Sequence, residues 1–142
     1  MTQQLRAGVV GAGVFGGHHA RKYASLPGVT LTAIYDPDEA RGQALAGDLG
    51  ATACTDMAAF LELVDVVTVA SPADSHGPAA LAALTAGKHV YVEKPLATNL
   101  DEAEKLTAMA AKKGVVLACG HQERIVFQAM GLMDVPEIPL AL

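Results

Sequence analysis

The residues with the clearest chemical use are the glycines of the hexapeptide Gly11-Ala12-Gly13-Val14-Phe15-Gly16. An apolar run precedes this hexapeptide and a helical pattern follows it, which is the setting of a dinucleotide-binding turn. In such a turn the first glycine permits the tight bend, the second leaves room for a pyrophosphate, and the third lets the helix press against the strand. The hexapeptide, including Val14 and Phe15, is therefore predicted to bind phosphate. The glycines alone leave open an ordinary strand-to-helix turn.

An acidic residue, Asp36, follows the hexapeptide at the spacing that this interpretation requires. It ends the second predicted strand, 20 residues after Gly16. A carboxylate there can accept hydrogen bonds from the adenosine ribose, and its charge repels a 2′-phosphate. The next residue is Pro37, with no adjacent arginine to bind such a phosphate. We therefore expect NAD as the cofactor in preference to NADP. The alternative is that Asp36 only caps the following helix.

Apolar runs and helical patterns alternate along the chain, which is typical of a parallel sheet with crossover helices. Strands are predicted at about 6–10, 30–35, 51–54, 65–70, 88–92 and 115–119. One helix is predicted over 79–86, and a longer one begins after Asn99 and ends before Gly114. The fold class is therefore α/β, a doubly wound parallel sheet of the Rossmann type.

Size and composition exclude several classes of protein. The chain has 142 residues, 51% of them hydrophobic, which fits one domain with one core. The net charge of −5 is spread without a cationic run, so nucleic acid is not an expected partner. Two cysteines are too few for a disulfide framework, and no metal site is expected. Without a signal peptide or a membrane-length apolar stretch, we expect a cytoplasmic protein with no membrane partner.

Two further segments carry a family resemblance. They are Ser71-Pro72-Ala73-Asp74-Ser75-His76 and Ala86-Gly87-Lys88-His89-Val90-Tyr91-Val92-Glu93-Lys94-Pro95. With the glycine hexapeptide and Gly120-His121-Gln122-Glu123-Arg124, they closely resemble the Gfo/Idh/MocA family up to about Gly131. The resemblance implies an oxidoreductase that transfers hydride between a nicotinamide cofactor and a hydroxyl or carbonyl of a sugar, inositol or related polyol.

The same resemblance implies roles at the end of the fifth predicted strand. Lys94 would be the catalytic residue, since its ammonium can stabilise a developing alkoxide and help to relay its proton. Glu93 would contact the cofactor, and Pro95 would follow a cis peptide bond. From the residue alone, a lysine at a strand end is more often a solvated charge.

Other residues implied to contact the cofactor lie after the fourth and sixth predicted strands. Ser71 and Pro72 would line the crevice that holds the nicotinamide ribose and adenine. His76 would lie near the cofactor, although a lone histidine is equally consistent with a surface position. His121 and Gln122 would frame the nicotinamide.

The expected domain organisation follows from the same comparison of motifs. Residues 1–120 are predicted to form the dinucleotide-binding domain, and 121–142 a short helix and an apolar tail that lead toward a missing substrate domain. The first hypothesis is the cofactor-binding domain of an oxidoreductase, whose substrate would need a second domain. The alternative is a non-catalytic NAD-binding module that acts as a sensor or docks onto a partner, with self-association into a homo-oligomer also expected from the apolar tail.

Overall fold

Six strands form one parallel sheet in the computed structural model, which describes residues 4–132. In chain order they are β1 (Leu5–Val10), β2 (Val29–Tyr35), β3 (Thr52–Cys54), β4 (Val66–Val69), β5 (His89–Glu93) and β6 (Leu117–Gly120). Across the sheet the order is β3-β2-β1-β4-β5-β6. The chain therefore winds outward from β1 in one direction and from β4 in the other, and this reversal opens a crevice at the carboxyl ends of β1 and β4. The predicted doubly wound α/β fold is confirmed.

Helices connect the strands and cover both faces of the sheet. They are α1 (Val14–Ser25), α2 (Glu39–Leu49), α3 (Met57–Glu62), α4 (His76–Thr85), α5 (Leu100–Lys113) and α6 (Gln122–Ala129). The predicted ends of α5 are confirmed, because the Asn99 side chain accepts a hydrogen bond from the N–H of Glu102 at 2.9 Å and Gly114 is left-handed. By contrast, α4 begins at His76, three residues before the predicted helix at 79–86.

The core lies on both sides of the sheet and is built from small aliphatic side chains. On one face α1 and α2 pack against β1 and β2, with Val9, Ala20 and Ile34 fully buried. On the other face α4 packs against β4 and β5, and side chains of α3 and α5 join the same core, with Phe60 and Leu106 fully buried. Short side chains bring helix and sheet close together, as an α/β layer structure requires.

The described residues include no helix long and apolar enough to cross a membrane. The apolar tail predicted at 134–142 lies outside the described residues.

Gly8 marks the closest approach between the core and β1. A Cβ atom at Gly8 would lie 2.5 Å from Cγ1 of Val64 and 2.6 Å from Cζ of Phe60. Both neighbours are fully buried, so neither has solvent to move into. In contrast, a Cβ atom at Gly47 of α2 would meet nothing within 4 Å.

We expect Gly8→Ala and Gly47→Ala to change stability in opposite directions. Gly8→Ala overpacks a filled core and should lower the free energy of unfolding by about 1–3 kcal/mol. Gly47→Ala restricts the unfolded chain and causes no steric clash in the folded one, so it should raise the free energy of unfolding by about 0.4–1 kcal/mol. Urea unfolding followed by circular dichroism measures both. Equal stability of the two variants would contradict the packing described for β1.

Candidate functional site

Two of the three hexapeptide glycines are required by the fold itself. Gly11 has a φ of 100°, and a Cβ atom there would lie 2.8 Å from the carbonyl oxygen of Ala70. A Cβ atom at Gly16 would collide with the carbonyl oxygen of Gly11. Any larger residue at either position would push α1 away from the ends of β1 and β4.

The middle glycine is different, because the fold leaves it free. Gly13 is the N-cap residue of α1, with φ −76° and ψ −166°, a conformation open to any residue. No side chain caps this helix start, and a Cβ atom at Gly13 would meet nothing within 4 Å. The first N–H groups of α1 therefore lack helical partners and face open space, which fits a bound pyrophosphate.

Beside this helix start, the Asp36 carboxylate accepts four hydrogen bonds. Its Oδ2 accepts from the N–H of Ala12 at 2.8 Å and its Oδ1 from the N–H of Asp38 at 2.8 Å. The Arg41 side chain donates the other two, from Nε to Oδ2 at 3.0 Å and from Nη2 to Oδ1 at 2.9 Å. Burial alone would raise the pKa of Asp36, but the bonds from Arg41, Ala12 and Asp38 outweigh burial and hold that pKa below its ordinary value.

Arg41 corrects one step of the sequence reasoning. The sequence shows no arginine next to Asp36, yet α2 brings the Arg41 guanidinium directly onto the carboxylate. The capping alternative for Asp36 is also wrong, because the N-cap of α2 is Asp38, whose side chain accepts from the N–H of Arg41 at 3.0 Å.

Three adjoining hollows run along the carboxyl edge of the sheet. The largest, about 490 Å³, lies between Asp36 on one side and α4 on the other. A second, about 290 Å³, lies over the hexapeptide and shares Gly11, Asp36, Arg41, Ser71 and Pro72 with the first. A third, about 130 Å³, contains Lys94 and shares Phe15, Ala70 and Ser71 with the second. The hollows thus form one crevice from the end of β2 to the end of β5.

The third hollow, here called the lysine hollow, brings together most of the predicted nicotinamide-side residues. It is lined by Phe15, Ala70, Ser71, Ala73, His76, Glu93, Lys94 and Gln122. Lys94 Nζ lies 3.1 Å from Oε1 of Glu123, and both side chains are about half exposed, at 47% and 50%. The Glu123 pKa is lowered by the hydrogen bond from its own backbone N–H and by the bond from Lys94. An exposed pair of this kind is weak, so Lys94 can turn toward a ligand.

His76 lies in the wall of the lysine hollow and is only 2% exposed, so the surface alternative for it is wrong. Its Nδ1 is 2.7 Å from the carbonyl oxygen of Pro95, and its Nε2 is 2.7 Å from the carbonyl oxygen of Ser71. The ring therefore bridges the segments that follow β4 and β5. Since both nitrogens face backbone oxygens, His76 shapes the hollow rather than presenting a free nitrogen to it.

Sequence reasoning missed the partner of Glu93. His19 Nε2 of α1 lies 2.6 Å from Oε1 of Glu93, and the His19 ring packs against Tyr91 with centroids 5.5 Å apart. The partners are 74 positions apart in the sequence, so no local pattern indicated the contact. The contact ties α1 to the end of β5 and thus fixes Glu93 beside Lys94.

The remaining predicted features are placed as follows. The Lys94–Pro95 peptide bond is cis, as the resemblance implied. Gln122 lines the lysine hollow, whereas His121 is exposed at the N-cap of α6. Among the described residues, no three or more His, Cys, Asp or Glu side chains are grouped to hold a metal ion.

Comparisons with known proteins agree with the fold. The model of an oxidoreductase family with an NAD-binding Rossmann fold, GFO_IDH_MocA, matches residues 5–121. UDP-N-acetylglucosamine 3-dehydrogenase of Acidithiobacillus ferrooxidans is 36% identical over 121 residues, which are 85% of this chain and 38% of that protein. The chain thus spans well under half the length of this relative.

Two solved structures show the fold with different cofactors. GenD2 from gentamicin A biosynthesis, in complex with NAD, has a TM-score of 0.80 and 41% identity, covering 84% of this chain and 35% of that one. Biliverdin reductase from Synechocystis sp. PCC 6803, in complex with biliverdin and NADP+, has a TM-score of 0.83 and 31% identity, covering 90% and 42%. Chains similar to this one therefore occur with either dinucleotide.

The hydrogen bonds of Asp36 predict a specific pH dependence of stability. Because its pKa is lower in the folded than in the unfolded chain, the unfolded chain takes up the proton first as pH falls. The stabilisation is complete well above the ordinary Asp pKa of about 4 and is lost as pH falls from there through the folded-state pKa. Asp36→Asn should cost roughly 1–3 kcal/mol at neutral pH, and this difference should shrink below about pH 4.

The measurement is urea unfolding of the unmodified chain and of Asp36→Asn between about pH 3 and pH 7. Asp65, whose pKa is lowered by Arg6, contributes equally to both proteins and cancels in the difference. A difference in unfolding free energy that stays constant over this range would rule out the assignment to Asp36.

Proposed function

This chain belongs to the Gfo/Idh/MocA oxidoreductase family, and we propose that it holds NAD for hydride transfer to or from a hydroxyl-bearing carbon of a sugar, inositol or related polyol. The observation that carries the proposal is the continuous crevice from Asp36, past the open start of α1, to Lys94. Along the crevice, Asp36, the start of α1 and Lys94 follow one another in the same order as the adenosine, pyrophosphate and nicotinamide of the cofactor.

The adenosine half fits the largest hollow. Its lining is mostly apolar, with Met57, Pro78 and Ala82 opposite Tyr35, which suits a flat adenine ring. Asp36 stands at its edge, where a carboxylate binds ribose hydroxyls and disfavours a 2′-phosphate. These features support NAD as the preferred cofactor.

The pyrophosphate fits the uncapped start of α1. The N–H groups of Val14, Phe15 and Gly16 carry the partial positive charge of the helix terminus and have no helical acceptor. Gly13 keeps their approach clear of side chains. Both features favour an anion at this position.

The nicotinamide half then falls in the lysine hollow. When bound, NAD supplies the ring carbon that accepts or returns the hydride. Lys94, at the carboxyl end of β5, would place its ammonium on the reacting oxygen, where it stabilises negative charge and takes part in proton transfer. Glu93 is held by His19 and would line the cofactor side, while Ser71 and Gln122 would border the ring.

We further propose that residues 1–120 form the cofactor domain, that 121–142 lead toward a second domain, and that this second domain completes the substrate pocket. The share of the A. ferrooxidans relative that the chain spans, 38%, supports this organisation. The alternative is an NAD-binding module without turnover. In this alternative Lys94 takes part in no reaction, and this is the measurable difference from the main proposal.

Gly13→Val tests the phosphate site without disturbing the fold. The space around Gly13 and its backbone angles accept a side chain, so the free energy of unfolding should fall by no more than about 1 kcal/mol, the cost of valine at an N-cap. The isopropyl group would cover the start of α1, and NAD binding measured by calorimetry should weaken at least tenfold. Gly47→Ala, remote from the crevice, is the control and should bind as the unmodified chain does. Undiminished NAD binding by Gly13→Val would refute the proposed pyrophosphate site.

Lys94→Met separates binding from chemistry. NAD affinity should change by less than about threefold. NADH formation with a panel of sugars and inositols, measured in a protein that also carries the second domain, should fall by about 100-fold or more. Lys88 directly precedes the first residue of β5, at the other end of the strand from Lys94. Lys88→Met is therefore the matched control and should leave NAD affinity and NADH formation unchanged. Turnover that survives in Lys94→Met would contradict the role of Lys94. NAD binding without NADH formation from any polyol, in a protein that carries the second domain as well as this chain, would favour the binding module.

A further inference from the structure

Arg41 is the one charged side chain of the adenosine hollow that the proposed function does not use. We propose that Arg41 determines cofactor specificity by limiting the preference for NAD: it competes with the adenosine ribose for Asp36, and it offers a guanidinium to the 2′-phosphate of NADP. The proposal rests on the dinucleotide-binding function proposed above and concerns the choice between its two cofactors.

The first step is the number of acceptor positions on Asp36. A carboxylate has about four lone-pair positions, and the four hydrogen bonds from Ala12, Asp38 and Arg41 occupy all of them. A ribose hydroxyl can therefore bond to Asp36 only by displacing one of the present donors. In the free chain the carboxylate that the sequence assigns to the ribose is already occupied.

The second step identifies which donor can leave. The N–H groups of Ala12 and Asp38 are backbone donors, held by the hexapeptide turn and by the start of α2. The Arg41 side chain is 51% exposed, whereas that of Asp36 is only 4% exposed. The guanidinium can rotate into solvent or toward a ligand, while the carboxylate cannot follow it. Arg41 is thus the donor that a ribose would displace.

The third step is the place of the guanidinium. Arg41 lines both the largest hollow and the hollow over the hexapeptide, so a small rotation moves its charge along the wall between adenosine and pyrophosphate. A guanidinium has five N–H donors, and the bonds to Asp36 use Nε and Nη2. Planar donors of this geometry bind phosphate in a bidentate manner.

Charge gives the direction of the effect. Paired as they are, Asp36 and Arg41 sum to zero, so this wall is not the negative barrier to a 2′-phosphate that Asp36 alone would be. For NAD, the ribose gains Asp36 but the ion pair is lost. For NADP, the phosphate gains Arg41, which offsets its repulsion from Asp36. Removal of Arg41 should therefore favour NAD and penalise NADP.

The test is Arg41→Met, which keeps an apolar stem of similar length and removes the guanidinium. Calorimetric titration with NAD and with NADP gives the ratio of the two dissociation constants. In Arg41→Met this ratio, NADP over NAD, should rise at least fivefold, through weaker NADP binding with NAD binding equal or stronger. Titration with 5′-AMP and 2′,5′-ADP should show the same change, which would place it in the adenosine half.

Two further variants control the result. Arg41→Lys keeps a cation at this position. It should therefore retain more than half of the NADP affinity that is lost in Arg41→Met. Arg6→Met removes a similar bidentate pair, Arg6 with Asp65, whose Nε–Oδ2 and Nη2–Oδ1 distances are 3.1 and 2.6 Å. Because Arg6 lies on β1 away from the crevice, Arg6→Met should leave the ratio unchanged. It also shows what loss of an exposed ion pair does to folding alone.

A ratio that rises less than fivefold, or that falls, in folded Arg41→Met overturns the role of Arg41. A fall would mean that Arg41 holds Asp36 in place for the ribose. Should Arg41→Met unfold, the Arg41 Nε–H signal in a ¹⁵N-correlated spectrum of the unmodified chain decides: it should shift on addition of 2′,5′-ADP, and no shift overturns the proposal. Binding of neither dinucleotide by the unmodified chain would instead refute the proposed function itself.

Discussion

The Asp36 carboxylate connects the parts of the crevice. One oxygen accepts from the glycine hexapeptide through Ala12, the other from the start of α2 through Asp38, and Arg41 closes the arrangement from α2. Burying a carboxylate costs free energy unless each oxygen is hydrogen-bonded, so the fold must bring all of these donors to Asp36. The end of β2, the turn after β1 and the start of α2 are therefore fixed relative to one another before any ligand arrives.

This constraint acts together with a steric one. Gly11 and Gly16 let α1 approach the ends of β1 and β4 so closely that a methyl group at either position would strike backbone. Backbone contacts cannot relax as side chains do, so the direction of α1 is set by the sheet. Its uncapped N–H groups then point into the crevice because of the fold, and Gly13 has only to stay small. The anion binding proposed at this point would thus follow from how helix and sheet pack.

Local patterns predicted the fold and the glycine turn after β1, because both depend on residues close in sequence. Strand and helix alternation, the glycine spacing and the caps at Asn99 and Gly114 all act within a few residues. Contacts between distant segments escaped prediction, as the pairing of His19 with Glu93 shows. Arg41 escaped prediction because it is not adjacent to Asp36 in the sequence. The first turn of α2 brings this residue, five positions later, onto the same carboxylate. The resemblance implied that His76 lies near the cofactor but gave no indication that both of its nitrogens would face backbone carbonyl oxygens.

The two ends of the crevice differ in how firmly they are built. At the adenosine end the buried carboxylate, the hexapeptide and apolar side chains of α4 enclose a hollow of about 490 Å³. At the other end the hollow is about 130 Å³, and Lys94 is half exposed beside an equally exposed Glu123. Cofactor affinity needs fixed partners, whereas a reactive ammonium works best where water is excluded around the reacting atoms. Among the described residues, Lys94 lacks that exclusion, so the chemistry proposed for it would depend on a further surface closing over β5, whereas the proposed dinucleotide binding would not. Affinity and turnover should therefore be separable properties of this fold, the first arising from the sheet edge and the second from whatever covers Lys94.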